Sequence, residues 1–255
     1  LFLDEITSAP PSVSAAAYQL ILDRCLGNYQ VPDGWAIFAA GNRQGDRGVT
    51  YTMPSPLANR FSHFDVDINL DDWVSWAYRQ GIDDRIIAFL RFRPEKLFEF
   101  DPAHNPVAFP TPRSWEFAHN ALQKFGNSTE LLTETLQACV GPATGIELKA
   151  YIDNLTNMPD LQEIIAGEAV QVPREVDLQY AVATALVGHA IRALDNDGEE
   201  RVHGNILRFA SRFPEREMGV MMVSDMTRAI GDRIFSLPEF ADWSDAVADM
   251  MIFGN

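Results

Sequence analysis

The sequence has few cysteines and no long apolar run. Its two cysteines, Cys25 and Cys139, lie far apart and form no C-x-x-C pair, which argues against a disulfide framework and against a structural zinc site. No stretch approaches the roughly 20 apolar residues that span a bilayer. The first residues also lack the signal-peptide pattern, in which a charged segment precedes an apolar one. We therefore expect a soluble, cytoplasmic protein in which both cysteines fill apolar space.

Basic residues are scarce as well. The 255 residues contain 20 lysines and arginines against 36 aspartates and glutamates, for a formal net charge of −16 and a pI near 4.6. The electrostatic field of a protein with this net negative charge repels phosphate backbones, so the composition disfavours a nucleic-acid partner. With 47% hydrophobic residues, the chain can bury a large core, in one composite domain or in two.

An apolar segment that ends in two carboxylates opens the sequence. Residues 1–6 read Leu-Phe-Leu-Asp-Glu-Ile and predict a short buried strand with Asp4 and Glu5 at its carboxyl end. Side chains alternate across a strand, so the two acids point in different directions. One can face a metal ion and the other an attacking water, as in magnesium-dependent phosphate chemistry. The alternative is a buried strand that runs into an acidic turn.

A second apolar segment ends in polar residues in the same way. After a predicted helix at 11–24, residues 35–40 read Trp-Ala-Ile-Phe-Ala-Ala and are followed by Gly41 and Asn42. Because it is apolar on both faces, the segment predicts a strand inside a parallel sheet. The carboxyl ends of parallel strands meet at one edge, so Glu5 and Asn42 are expected to converge there, where an amide binds both phosphate oxygen and water. A Gly-Asn pair is also a common turn.

An arginine and a third predicted strand come next. Residues 44–56 form a loop with glycine and proline, residues 57–61 read Leu-Ala-Asn-Arg-Phe, and residues 64–68 alternate like a strand. The order strand-Asp-Glu, strand-Ala-Ala-Gly-Asn, loop and Leu-x-Asn-Arg-Phe resembles the AAA+ ATPases, especially the MoxR-like branch. In that family these motifs are Walker B, sensor 1 and the arginine finger. The resemblance covers residues 1 to about 140 with specific motifs.

The resemblance assigns an expected role to five residues. It implies that Asp4 holds Mg²⁺ through water and that Glu5 polarises the attacking water. Asn42 looks like sensor 1, which places that water against the γ-phosphate. Arg60 looks like the arginine finger, which reaches into the nucleotide site of a neighbouring subunit. Arg113, in a Pro-Arg-Ser motif at a predicted helix start, looks like sensor 2, which folds over the γ-phosphate of its own chain.

The same resemblance implies an activity and partners. It implies ATP and Mg²⁺ as cofactors, a ring that is usually hexameric, and chaperone-like work on a protein client. MoxR-like ATPases are often paired with von Willebrand factor A domain proteins, which makes such a protein the expected client. Two alternatives stay open: a non-hydrolysing scaffold derived from the family, and a nucleic-acid translocase. The acidic composition and the lack of a basic, aromatic-rich stripe disfavour the translocase.

The phosphate-binding loop of the family is absent from this sequence. A P-loop reads G-x-x-x-x-G-K-[ST], and the only lysines here, Lys96, Lys124 and Lys149, do not follow a glycine. In AAA+ proteins this Walker A motif precedes Walker B, so the resemblance implies a carboxyl-terminal portion of an ATPase that is inactive by itself. The family's sheet is ordered 5-1-4-3-2, and residues 1–70 supply what look like strands 3, 4 and 5. We therefore expect exposed sheet edges and low stability there.

The rest of the sequence predicts helices. The predicted fold class is an α/β P-loop NTPase (AAA+) core, incomplete at its amino terminus, followed by an all-α lid and a further α-helical region. We assign residues 1–70 to the core, 71–140 to the lid and 141–255 to the additional region, in which a helix is expected at 146–155. The methionines between 218 and 226 predict core filling rather than a partner-binding face. No histidine or cysteine has metal-ligand spacing, so Mg²⁺ is the only metal expected.

Overall fold

The chain divides into two compact units. The structure, a computed structural model, describes residues 1–42, 51–100, 107–194, 196 and 198–253. One unit comprises the described residues of 1–67, and the other comprises the described residues from 68 onward. We call them the amino-terminal unit and the helical unit. The predicted loop at 44–56 lies partly outside the described residues.

The amino-terminal unit contains short strands and short helices. In chain order they are β1 (Phe2–Leu3), a 3₁₀ turn (Ile6–Ser8), α1 (Pro11–Leu22), β2 (Cys25–Leu26), β3 (Tyr29–Gln30), β4 (Phe38–Ala39) and α2 (Ser55–Ala58). β1 and β4 are parallel neighbours, and β2 and β3 form an antiparallel hairpin. The register pairs Phe2 with Phe38 and Leu3 with Ala39.

Helix α1 and the hairpin form the connection between the parallel strands. Pro11 suits the first turn of α1, where its missing N–H is not needed. After the helix, Arg24 adopts a positive φ of 54° and the chain turns into the hairpin. The Arg24 guanidinium donates to the carbonyls of Pro32 at 3.1 Å and Trp35 at 2.7 Å. These bonds fix the segment that leads into β4.

The sheet is smaller and more exposed than the sequence predicts. The described residues are mostly helical, with a few short strands and no closed sheet. Phe2 and Phe38 are 62% and 64% exposed, so the predicted burial is wrong at Phe2 for the strand in residues 1–6 and at Phe38 for the strand at 35–40. A strand face is buried only where a helix or another sheet packs on it, and no described element covers these two rings.

The predicted strand at 64–68 does not form. Neither sheet among the described residues includes it, and the side chains of Phe64 and Val66 are 87% and 86% exposed. Alternation alone does not make a strand, because strand formation depends on tertiary context more than on the local pattern. The described residues of 1–67 thus contain one parallel strand pair, β1 and β4, with α1 in the connection, which is less than the predicted α/β core.

The helical unit contains ten α-helices among its described residues. They are α3 (Leu70–Gln80), α4 (Asp84–Phe92), α5 (Pro112–Phe125), α6 (Thr129–Val140), α7 (Pro142–Asn154), α8 (Leu161–Ala166), α9 (Val176–Arg192), α10 (Glu199–Ala210), α11 (Arg216–Ile230) and α12 (Pro238–Phe253). Short 3₁₀ segments lie at Pro94–Leu97, Leu155–Asn157 and Gly231–Ser236.

Local signals set many of the helix ends. Asn69 caps α3 by accepting the Asp72 N–H at 3.0 Å, and Gly81 ends that helix in the left-handed conformation at φ 68°. Asp83 caps α4 in the same manner as Asn69. Helix α7 begins at Pro142 rather than at residue 146. The earlier start is explained by Pro142, because a proline fits the first turn of a helix.

Two hydrophobic clusters hold the helical unit together. The first is built from α3 to α7 and the second from α8 to α12. Helix α9 contributes to both, because Ala181 lies in the first cluster and Val182 in the second. Met218, Met222 and Met226 are buried in the second cluster, which confirms core filling for these three methionines.

An ionic cluster with a buried arginine joins α3, α4 and α11. Arg91 is 8% exposed; its Nη1 donates to Asp71 Oδ1 at 2.5 Å and its Nη2 donates to Asp225. Arg228 donates to the other oxygen of Asp71 at 3.1 Å. Burial raises the pKa of Asp225 to about 6, against the opposing effect of Arg91 and Arg228. The Arg91–Asp225 pair is therefore shielded from water, whereas Asp71 and Arg228, at 45% and 44% exposure, are partly screened.

Candidate functional site

The parallel pairing of β1 and β4 brings together the residues that follow both strands. The Phe38 N–H donates to the Leu1 carbonyl at 2.8 Å, and the Ala40 N–H donates to the Leu3 carbonyl at 2.9 Å. Beyond the strands the ladder continues, since the Ile6 N–H donates to the Ala40 carbonyl at 2.9 Å. The two turns after the strands are thus held side by side.

Glu5 and Asn42 meet at this edge. Asn42 Nδ2 donates to Glu5 Oε2 at 3.1 Å. Glu5 adopts the left-handed conformation, with φ 54°, which is uncommon for a residue with a side chain. The structure therefore brings together the acid and the amide that were expected to converge, and one of them sits on a turn in a sparsely populated backbone region.

Two hydroxyls complete this cluster. Ser8 Oγ donates to Glu5 Oε2 at 3.0 Å, and Thr7 Oγ1 accepts the backbone N–H of Asn42 at 3.0 Å. A Cβ at Gly41 would lie 2.6 Å from Thr7 Oγ1, so the close approach of the two turns needs glycine. The sequence pattern did not identify Thr7 or Ser8 as members of this cluster. Helix α1 has no side-chain cap, and Ser8 bonds to the acid three residues before it.

Asp4 is an exposed carboxylate at the end of β1. Its Oδ1 accepts the Glu5 N–H at 3.0 Å. In the described part of the chain, no group of three or more His, Cys, Asp or Glu residues could hold a metal ion. Mg²⁺ usually keeps several waters and takes only one or two carboxylates alongside nucleotide phosphates. A single carboxylate that contacts the ion through water fits that chemistry.

Arg60 follows helix α2, and its side chain packs against Tyr18 of helix α1. Its guanidinium is 5.3 Å from the centroid of the Tyr18 ring, and its Nη1 donates to the Pro56 carbonyl. Its Nε is buried and has no hydrogen-bond partner among the described residues. This arginine is therefore held by a cation–π contact and one short-range hydrogen bond, with part of its donor capacity unused.

Arg113 belongs to the helical unit, whereas the other four predicted site residues belong to the amino-terminal unit. It is exposed in the first turn of α5. Thr111 and Ser114 form a reciprocal capping box around that turn: the Thr111 N–H donates to Ser114 Oγ at 2.7 Å, and the Ser114 N–H donates to Thr111 Oγ1 at 3.0 Å. The cap fixes the backbone at Arg113 and leaves its side chain in solvent.

Comparisons with protein-family models, with curated proteins and with solved structures found no match to this chain. The resemblance to MoxR-like ATPases therefore rests on the sequence motifs and their order, and it stays a prediction. No helix in the described part of the chain has both the length and the apolar composition that a membrane crossing requires.

Proposed function

We propose that this chain is part of a MoxR-like AAA+ ATPase, which hydrolyses ATP in an oligomeric ring to remodel or activate a protein partner. The observation that carries the proposal is the hydrogen bond between Asn42 and Glu5 across the parallel β1–β4 pair. Two motifs 37 residues apart, each at the end of an apolar strand, supply a carboxylate and an amide to the same point. Ligands of open parallel sheets gather beyond this edge.

The chemistry of each side chain suits that reaction. In the proposal, the Glu5 carboxylate takes a proton from the attacking water, and the Asn42 amide orients the water and a phosphate oxygen. Asp4 holds Mg²⁺ through water. When nucleotide is bound, the ion would neutralise negative charge on its phosphates.

The residues present fit the water-facing side of such a site, but they do not supply the phosphate cradle. No lysine lies in residues 1–67, and no P-loop motif occurs anywhere in the sequence. The proposal therefore requires that the P-loop come from outside these 255 residues. It also requires that Arg60 leave the Tyr18 ring to act as an arginine finger on a neighbouring subunit, and that Arg113 serve as sensor 2.

The partners and the location rest on the family resemblance alone. In the proposal the ring is hexameric and cytoplasmic, and the client is a protein, with a von Willebrand factor A domain protein as the first candidate. The strongly negative charge supports a protein client over nucleic acid.

The test is ATP turnover by a longer form of the chain that includes the P-loop. Glu5→Gln should bind ATP and lower kcat by about 100-fold or more, because it removes the general base. Arg60→Ala should bind ATP and lower kcat by about 10³-fold, as finger removal does in related NTPases. The matched controls are Asp33→Asn, in an exposed turn, and Arg79→Ala, at an exposed position of α3. Both should turn over like the unmodified protein.

Mixing the two inactive variants tests whether the site lies between subunits. A ring that contains Glu5→Gln and Arg60→Ala subunits has some interfaces with an intact Glu5 on one side and an intact Arg60 on the other, so mixing should restore part of the activity. A longer form that neither binds nor hydrolyses ATP would refute the ATPase and favour the scaffold. Turnover without recovery on mixing would refute Arg60 as a finger that acts between subunits.

A further inference from the structure

We propose that Ser8 is a positioning residue that holds the Glu5 carboxylate for the attacking water, an inference that rests on the proposed ATPase function. Neither the Asp-Glu motif nor the Asn motif includes Ser8. It lies three residues beyond the acid, in the 3₁₀ turn that follows β1.

Both hydrogen bonds to the carboxylate reach the same oxygen. Ser8 Oγ lies 3.0 Å and Asn42 Nδ2 lies 3.1 Å from Glu5 Oε2. Among the described residues, no group donates to Oε1. Two donors on one oxygen fix the plane of the carboxylate, and the second oxygen is left to accept a proton from water. A carboxylate with one donor would rotate more freely about its last torsion.

The turn makes Ser8 a rigid donor. The Ser8 N–H donates to the Glu5 carbonyl at 2.9 Å, so backbone and side chain of Ser8 bond to the same residue. Glu5 itself holds the left-handed conformation, and such a conformation persists only where surrounding contacts compensate its cost. The Ser8 bonds are two of those contacts, and they link the backbone conformation of Glu5 to the direction of its carboxylate.

Thr7 acts on the other member of the pair. Its Oγ1 accepts the Asn42 N–H, and its carbonyl accepts the Tyr51 N–H at 2.7 Å. Thr7 therefore anchors the backbone that carries the amide, while Ser8 anchors the carboxylate. Adjacent hydroxyl residues in one short turn thus set the relative position of an acid and an amide from two separate strands.

The experiment compares Ser8→Ala, which removes the donor, with Ser8→Thr, which keeps a hydroxyl at a half-exposed position. Ser12→Ala is the matched control, because Ser12 is an exposed serine at the start of α1. In the longer form, Ser8→Ala should lower kcat by about tenfold, with KM for ATP unchanged, since geometry rather than binding is lost. Ser8→Thr and Ser12→Ala should keep kcat within about twofold.

A second readout uses the 255-residue chain and needs no turnover. The side-chain NH₂ signals of Asn42, assigned in a ¹H–¹⁵N spectrum by their loss in Asn42→Asp, report its bond to Glu5. They should shift in Ser8→Ala and stay in place in Ser8→Thr and Ser12→Ala.

Two results would overturn the proposal: unchanged Asn42 signals and kcat in Ser8→Ala, or a Ser8→Thr variant that behaves like Ser8→Ala. A longer form without ATPase activity would instead refute the proposed function. In that case the Asn42 signals would still decide whether Ser8 holds the carboxylate.

Discussion

Replacing Gly145 by alanine should separate two helices that pack almost backbone to backbone. Gly145 lies in α7, and a Cβ at this position would be 2.5 Å from the Gln137 nitrogen and 2.6 Å from the Gln137 Cα, in α6. Backbone atoms cannot swing aside as the end of a side chain can. To bring that carbon to ordinary contact at 3.4 Å, the helices would have to move apart by roughly 1 Å.

The energetic cost follows from the buried side chains that the two helices contribute to the first hydrophobic cluster. Leu132 and Leu136 of α6 and Leu148 of α7 are 3%, 0% and 0% exposed. A gap of roughly 1 Å forfeits up to half of the dispersion energy of each contact, and overpacking of this kind costs about 3 kcal/mol. The better helix propensity of alanine returns about 1 kcal/mol. The net loss of unfolding free energy should be about 2 kcal/mol, which lowers Tm by about 6 °C in a unit of this size.

Thermal unfolding followed by far-ultraviolet circular dichroism measures this effect. The control is Gly188→Ala in α9, where a Cβ would lie 2.7 Å and 2.9 Å from the carboxylate oxygens of Asp84, a side-chain end that can move. That variant gains the same helix propensity and should stay within about 1 kcal/mol of the unmodified protein. A Gly145→Ala variant with an unchanged Tm would refute the argument and the close packing across the predicted boundary at 140/141.

Three further predictions concern the ionic cluster and the amino-terminal unit. Arg91→Met leaves Asp225 buried without its nearest cation and should cost about 3 kcal/mol in urea unfolding, whereas Arg93→Met at an exposed position should cost about 0.5 kcal/mol at most; equal costs would contradict the reasoning. Burial raises the folded-state pKa of Asp225 above its ordinary 3.8 to about 6, so its contribution to stability is complete below pH 3.8 and is lost as pH rises through 6. Asp225→Asn should remove that loss, about 3 kcal/mol for a shift of this size, and give a flatter curve of unfolding free energy against pH; a curve with the original slope would count against the assigned pKa. Few side chains are buried in the described part of residues 1–67, so amide hydrogens there should exchange faster than those of α9; full protection across 1–67 would rule this out.

Much of the helical unit could be predicted because residues at the helix ends themselves determine where its helices begin and end. The Asn69 and Asp83 caps and the left-handed Gly81 act within a few residues of the bonds they make. The amino-terminal unit was harder to predict from sequence. Whether an alternating segment such as 64–68 becomes a strand depends on its tertiary context, which the segment itself does not specify.

The candidate site could be predicted only in part. Apolar segments that end in polar residues identified Glu5 and Asn42, since parallel strands end at a common edge. Ser8 and Thr7 were not identified, because a hydroxyl near a helix start is also a common cap. Their actual partners depend on the φ of Glu5 and on the approach of Gly41 to Thr7.

The sequence by itself determined the helical periodicity, the caps, the two apolar segments with their polar ends, and the acidic charge. These depend on spacing along the chain and on bonds between near neighbours. Only the tertiary structure decided that Asn42 and Ser8 share one oxygen of Glu5, and that Arg91 is buried against Asp225, 134 residues away. Such contacts arise from the relative placement of elements, because a side chain's partner across a fold is set by packing rather than by its own neighbours in the sequence.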